Sequence, residues 1–350
     1  MRNHDRYLIV KGTCGLGNRL MVLANALEYC EKTGRTIIVD WCDGMFTSKG
    51  KNAFTEYFEI KGFAWQKEVN IHKDKATSFY PDVARNLPDN FSIDEYFHTS
   101  SANKKGSKLL KKLIHFGSGV AHTLLSEDRF KYYFVLWVRW ELLGGHRGLK
   151  SRKLGGNKFC LGGDLPLSRK EEVILFGDFC PGYRKLYLKN YVSLKKEIKE
   201  EIENYSKENE LGAGTVGLHI RCTDKSFQED IDKTFQFVER FMQEHQLATL
   251  FLATDQIEVI EKAKQCFGNC LLLYKKYLPE LASGGEHGIH TWASEKADET
   301  LKLQMYHDAI MEMFLLAETE YLLYQGNSTF SIISRDMSKY GNCFDWQEML

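Results

Sequence analysis

Between Arg221 and Glu229 the chain gathers Arg221, Thr223, Asp224, Lys225 and Glu229. Two cations, a hydroxyl and two carboxylates at this density suit a site that holds a phosphorylated group and moves a proton. The planar guanidinium of an arginine grips phosphate oxygens in pairs and keeps its proton. A carboxylate close by can take one from a hydroxyl. Residue by residue, a strand end dressed in solvated charges would look the same. What sets the group apart is its position, directly after the apolar run Val216-Gly217-Leu218-His219-Ile220. That run reads as a buried strand, and ligands gather where parallel strands end.

Two further strands end in the same way. Residues 249–253 run into Thr254-Asp255-Gln256, and residues 321–324 into Gln325-Gly326-Asn327-Ser328-Thr329. Three polar clusters are thus expected along one sheet edge. Near the amino terminus a strand at 7–10 is followed by Gly15-Leu16-Gly17-Asn18-Arg19, then by a helix at 20–33 and a strand at 36–39. Leu20, Leu23, Ala24, Leu27 and Cys30 recur at helical spacing. The glycine loop lacks the third glycine of the dinucleotide fingerprint and the Gly-Lys-Ser/Thr of a P-loop. Two readings stay open for it. It is a turn needing positive φ at Gly15 or Gly17, or a helix start that offers backbone N–H groups to an anion, with Asn18 and Arg19 as added donors.

These elements require an α/β chain with two Rossmann-like domains facing each other across a cleft. The boundary is expected at the Gly212-Ala213-Gly214 break, after one long helix over 187–210, giving domains 1–211 and 212–350. Helices are expected at 233–246, 257–266 and 301–317, with a weak strand at 270–273. Residues 104–125 form a basic amphipathic stretch, expected as a surface helix with at most weak peripheral membrane contact. Residues 144–163, rich in Gly, Lys and Arg and without periodicity, read as a mobile loop. Over the 350 residues, Lys and Arg number 47 and Asp and Glu 47, so no global field recruits nucleic acid. Apolar runs at 7–10 and 132–138 are too short for a leader or an anchor. Nine cysteines without a Cys-x-x-Cys pair argue against a disulfide framework and for a reducing, cytoplasmic setting. Asp230 and Asp232 have Asp-x-Asp spacing but sit at a helix start, where they read as caps. His287 and His290 read as loop histidines. No metal is expected.

His219-Ile220-Arg221-Cys222-Thr223-Asp224-Lys225 resembles the His-Val-Arg-Arg-Thr-Asp-Lys signature of the α1,6-fucosyltransferases, which include the bacterial nodulation enzymes and the eukaryotic N-glycan core enzyme. Leu252-Ala253-Thr254-Asp255-Gln256 is similar to that family's Leu-Ala-Thr-Asp-Asp, and the glycine loop to its nodulation type. The resemblance covers roughly 10–60 and 215–338. It implies a GT-B fold and inverting transfer of fucose from GDP-fucose to a saccharide hydroxyl, on a glycan or lipid-linked acceptor. It also implies roles for single residues. Arg221 would clamp the diphosphate, with Asp224 beside it; Glu229 would be the general base. His219, Lys225, Asp255, Glu312, Ser328, Gly15, Gly17 and Asn18 would contact the donor. Cys222 and Gln256 depart from the pattern, and Lys225, Arg19 or a backbone amide would have to replace the missing guanidinium. A different donor or linkage, or a silent nucleotide-sugar-binding protein, is the alternative.

Overall fold

The computed structural model describes residues 6–12, 14–68, 76, 78–80, 82–86, 153–154, 157–158, 165–177, 185–223, 231–281 and 288–350. The chain divides into two compact units. The first takes Met1–Thr13, Val22–Asp40 and Phe63–Arg184; the second takes Cys14–Met21, Trp41–Gly62 and Lys185–Leu350.

The first unit is built on β1 (Tyr7–Lys11), β2 (Thr36–Asp40), β4 (Trp65–Gln66), β5 (Phe79–Tyr80) and β8 (Val173–Phe176). Their order is β4-β2-β1-β8-β5 and every pairing is parallel. The central strands are continuous apolar runs because a parallel sheet is covered on both faces. Helix α1 (Leu16–Thr33) connects β1 to β2, and Leu20, Leu23, Ala24, Leu27 and Cys30 are all buried, as their spacing requires. It starts four residues before the expected point, so Gly17 lies inside its first turn. The left-handed residue of the loop is Cys14, at φ 53°, and not Gly15 or Gly17. Strand β8 lies in a stretch whose pattern carried no signal. Of 144–163, only the two-stranded hairpin of β6 (Lys153–Leu154) and β7 (Asn157–Lys158) is described; the stretches 104–125 and 132–138 lie outside the described residues.

The second unit carries β10 (Thr215–Ile220), β11 (Thr249–Thr254), β12 (Leu271–Leu272), β13 (Tyr321–Tyr324) and β14 (Asn342–Asp345), in the order β12-β11-β10-β13-β14, again all parallel. Val216, Leu218 and Ile220 project to one face, where they join Phe235, Val238 and Phe241 of α5 (Ile231–Glu244) and Val259, Ala263 and Phe267 of α6 (Ile257–Phe267). Burial of each such side chain is worth about 1.5–3 kcal/mol, which fixes the register of β10. The alternate residue His219 must then face the other side. There lie α8 (Glu299–Glu318) and α9 (Thr329–Met337).

The expected helix over 187–210 is instead α3 (Lys185–Tyr191), β9 (Val192–Leu194) and α4 (Lys196–Glu208). Val192 and Leu194 are buried by antiparallel pairing with β3 (Phe58–Ile60), a tertiary partner that overrides local helical preference. β3 follows directly on α2 (Ala53–Tyr57), whose N-cap Asn52 accepts the Phe54 amide at 3.2 Å. α4 and the segment before it group with the second unit. The last helix to name, α7 (Ile289–Lys296), precedes α8. Among the described residues no helix is long and apolar enough to cross a membrane.

Candidate functional site

All groups considered below belong to the second unit, including the first turn of α1. Register places the ends of β10 and β11 side by side, Ile220 opposite Thr254. The residues that follow lock together. The Arg221 amide donates to Gln325 Oε1 at 2.8 Å, and Gln325 Nε2 donates back to the Arg221 carbonyl at 3.4 Å. Asp255 accepts the Cys222 amide at 2.8 Å, the Thr223 amide at 3.3 Å and the Thr223 hydroxyl at 2.5 Å. The three expected polar clusters therefore do converge at one edge. Asp255 acts there as a latch on the loop leaving β10; it does not cap α6, whose N-cap is Gln256. Asp224, Lys225 and Glu229 lie outside the described residues, as do Asp230 and His287.

Arg221 extends to the start of α7. A methyl group on Gly288, the N-cap of that helix, would lie 2.7 Å from Arg221 Nη2 and 3.1 Å from ring atoms of His290. Glycine lets the guanidinium come this close; any Cβ here would push the end of Arg221 aside. His290 is thus in the first turn of a helix and not, as expected, in a loop. Its ring also lies 3.4 Å from the place a methyl on Gly15 would take. Gly17 is buried in the first turn of α1, and a methyl there would come within 2.6 Å of the Thr329 carbonyl and 2.8 Å of the Phe330 nitrogen. The opening turns of α1 and α9 thus meet backbone to backbone. Helix starts leave N–H groups without intrahelical acceptors and carry a partial positive charge. Three of them, from α1, α7 and α9, are chained together here through Gly15, Gly17, Gly288 and Arg221. Asn18 is half-buried in that first turn of α1.

Ser328 precedes α9, and its hydroxyl is buried without a hydrogen-bond partner among the described residues. His219 stacks on Phe330, ring centroids 5.1 Å apart. Burial lowers its pKa to about 3, helped by Arg221 and Lys276, so the imidazole is neutral. Its Nδ1 is likewise unpartnered among the described residues. Its carbonyl is held by Trp346 Nε1 at 3.1 Å.

Sequence reasoning missed Lys276. It forms an ion pair with the buried Glu312 and donates to the Thr254 carbonyl at 2.7 Å. Burial raises the Glu312 pKa, with Lys276 pulling the other way. One turn earlier on α8, Asp308 accepts from Gln304 Nε2 at 2.8 Å through Oδ1; Oδ2 is unpartnered among the described residues, and burial raises its pKa too. Nothing in the irregular stretch around Lys276 signalled this pairing.

Arg19 was expected as a donor to an anion, and the structure corrects this. It is wholly buried, donates to Asp43 at 2.7 and 3.2 Å and to the Cys14 carbonyl at 3.0 Å, and lies over the rings of Phe46 and Trp41. Cys222 turns into the core of α5 and α6, and Gln256 Nε2 is taken by the Leu281 carbonyl at 3.0 Å. Asp232 pairs with Lys262 at 2.7 Å. Among the described residues no group of three or more His, Cys, Asp or Glu is arranged to hold a metal ion.

No family model matches the sequence, and no curated protein matches it. Solved structures do. A crystal structure of NodZ α-1,6-fucosyltransferase soaked with GDP-fucose matches with a TM-score of 0.55 at 17% identity, over 95% of this chain and 93% of that one. A selenomethionine form of fucosyltransferase NodZ from Bradyrhizobium matches with 0.55 at 16%, over 95% and 92%. NodZ co-crystallised with GDP matches with 0.52 at 16%, over 95% and 93%. At these identities the likeness shows the fold, a mixed α/β architecture of parallel sheets of the GT-B type.

Proposed function

We propose that this protein is a glycosyltransferase that takes L-fucose from GDP-fucose and delivers it, with inversion, to a hydroxyl of a glycan or lipid-linked saccharide, in an α1,6-like linkage. The observation that carries the reading is the approach of Arg221 to the start of α7, which is joined through His290 and Gly17 to the starts of α1 and α9, at the edge of the second sheet. Such a cluster of positive potential suits the diphosphate of a nucleotide sugar and the charge that grows on it as the glycosyl bond breaks. The fold likeness to NodZ, a protein crystallised with GDP and soaked with GDP-fucose, supports the choice of donor.

In this reading Arg221 clamps the diphosphate, with Asp224 beside it. Ser328, Gly15, Gly17, Asn18 and Lys225 add donors, and His219 and Glu312 line the nucleoside side. Asp255 holds the loop that carries Arg221. Glu229 takes the acceptor proton as the hydroxyl attacks C1 from the face opposite the nucleotide. Arginine and helix dipoles supply the countercharge, so no metal is required.

Screening GDP-sugars for slow hydrolysis tests the donor without knowledge of the acceptor. GDP-fucose should be cleaved in the presence of EDTA. Strict metal dependence, or preference for another sugar nucleotide, would overturn the assignment. One observation favours a second reading, a nucleotide-sugar-binding protein without turnover: Cys222 turns its side chain into the core, where the resembling family has a second arginine. Calorimetry with GDP-fucose separates the two, since binding with no hydrolysis and no transfer to any acceptor selects the silent protein.

A further inference from the structure

The second unit holds a cavity of about 310 Å³, lined by Gln256, Ile257, Glu258, Pro279, Glu280 and Leu281. Its size is at the lower end of the range for small-ligand sites. Gln256 follows Asp255 directly, and Asp255 holds the amides of Cys222 and Thr223. The cavity thus begins one residue from the latch on the loop that carries Arg221. Its wall combines several kinds of group. Gln256 is buried, and its Nε2 donates to the Leu281 carbonyl at 3.0 Å, while its Oε1 accepts no hydrogen bond among the described residues. A buried amide oxygen without a donor is unfavourable until a ligand or water supplies one. The carboxylates of Glu258 and Glu280 are exposed and have neither an ion pair nor a hydrogen bond among the described residues. Helix α6 starts here without a side-chain cap, which leaves its first N–H groups as donors. Ile257, Pro279 and Leu281 supply apolar surface. None of the six lining residues is a cation, so a phosphate or carboxylate would be repelled. A neutral ligand with several hydroxyls and an apolar face suits this wall. Its hydroxyls donate to the carboxylates and the amide oxygen and accept from the helix start, and its C–H groups rest on the apolar side chains.

We infer that this cavity binds a neutral saccharide, the acceptor, with Gln256, Glu258 and Glu280 reading its hydroxyls. The inference rests on the nucleotide-sugar reading above and deepens it by giving the acceptor a place. The two glutamates bind here and take no proton; their charge strengthens the hydrogen bonds they accept.

Titrations followed by saturation-transfer NMR test this, with methyl β-D-glucopyranoside, methyl β-D-galactopyranoside, methyl α-D-mannopyranoside and N-acetylglucosamine, each with and without GDP. Wild type should bind at least one of these sugars, and GDP should not displace it. Replacing both acids, Glu258→Ala with Glu280→Ala, should weaken that sugar at least about tenfold and leave the affinity for GDP as it is. The pair Glu258→Gln with Glu280→Gln, which keeps acceptor oxygens, should recover part of the loss. Both side chains are exposed, so the fold tolerates either pair. If wild type binds GDP but none of the sugars, or if the alanine pair binds sugar as wild type does, the inference is wrong while the nucleotide-sugar reading stands. Displacement of the sugar by GDP, or loss of GDP affinity in the alanine pair, would assign the cavity to the donor and overturn the inference too. No recovery with glutamine would mean that charge is read, as by a cationic ligand, and would overturn the neutral class. Failure of wild type to bind GDP would sink the nucleotide-sugar reading, and the acceptor role with it.

Discussion

At the carboxyl end of the first sheet, Lys11 closing β1 meets Asp40 closing β2 at 2.6 Å, both side chains almost fully buried. At the carboxyl end of the second, Arg221 leaves β10 with its backbone held by Gln325 and its guanidinium against Gly288. Both edges belong to five-stranded parallel sheets, and both place a cation just where ligands gather in such folds. The difference lies in what the carboxylate of the neighbouring strand does. The first edge brings its own carboxylate from the neighbouring strand. At the second, the carboxylate on the neighbouring strand, Asp255, spends its oxygens on the amides of Cys222 and Thr223 and on the Thr223 hydroxyl. The same topology thus puts a carboxylate at each edge to a different use: at one it pairs a lysine, at the other it holds the backbone of the loop that carries Arg221.

Breaking the first pair should show the larger effect, and only on stability. Lys11→Met removes the cation that pairs with buried Asp40, which costs about 3–5 kcal/mol. Denaturant unfolding measures it, and a loss under 1 kcal/mol would mean that water reaches this pair. Affinity for GDP should not change in the fraction that stays folded. Arg221→Ala should do the reverse. Turnover of GDP-fucose should fall about 100- to 1,000-fold, or about 3–4 kcal/mol of transition-state stabilisation, with the melting transition close to wild type. An Arg221→Ala protein that retains turnover would remove the contrast between the two edges.

His219 sharpens the comparison through pH. In the folded protein it titrates at about 3, against an ordinary value of 6.5. Between those limits the unfolded chain binds a proton that the native one refuses, so stability is whole above about pH 6.5 and declines as pH falls towards 3. The steepest slope from one such group is about 1.4 kcal/mol per pH unit. His219→Gln should lose that component, and denaturant titrations at pH 7 and pH 5 for both proteins give the difference. Asp308 and Glu312 act with the opposite sign. Their folded pKa values are raised, so they weaken the fold as pH rises through the ordinary carboxylate range. An acid-side decline that is identical in wild type and His219→Gln would show that the histidine is not the group responsible.

How far the sequence was legible follows from which forces act locally. β10, β11 and β13 of the second sheet are legible because continuous apolar runs ending in polar clusters are local signals; β14, Asn342-Cys343-Phe344-Asp345, carries no such run and no expectation names it. Their convergence followed from parallel topology. Arg221 stood out because it follows such a strand directly. Arg19 was misjudged because its partner Asp43 lies 24 residues on, in a stretch with no periodicity. Lys276 and Glu312 stand 36 residues apart and nothing local links them. β9 hid inside a helical pattern because the strand that stabilises it, β3, lies far away in sequence. His290 reads as a loop residue because α7 is only eight residues long and is preceded by Gly288 rather than by a side-chain cap. Distant pairings of charge and edge strands are what a single sequence withholds.

The smallest effect concerns the loop that opens α1. Three non-glycine residues have positive φ: Cys14, Glu210 and Gln246, among the described residues. Glu210 and Gln246 follow directly on the ends of α4 and α5, where a left-handed residue closes a helix and satisfies its last carbonyls. Cys14 comes before a helix, where no such compensation exists, and its carbonyl instead accepts Arg19 Nε at 3.0 Å. The left-handed conformation costs a residue with a Cβ about 1–2 kcal/mol. Glycine removes that cost but loses about 0.5–1 kcal/mol through the greater freedom of the unfolded chain. Cys14→Gly should therefore raise stability by about 0.5–1 kcal/mol, a gain that denaturant unfolding resolves. A loss would mean that the thiol makes contacts worth more than the strain, and that the second unit holds its glycine loop by packing instead of tolerating a strained turn.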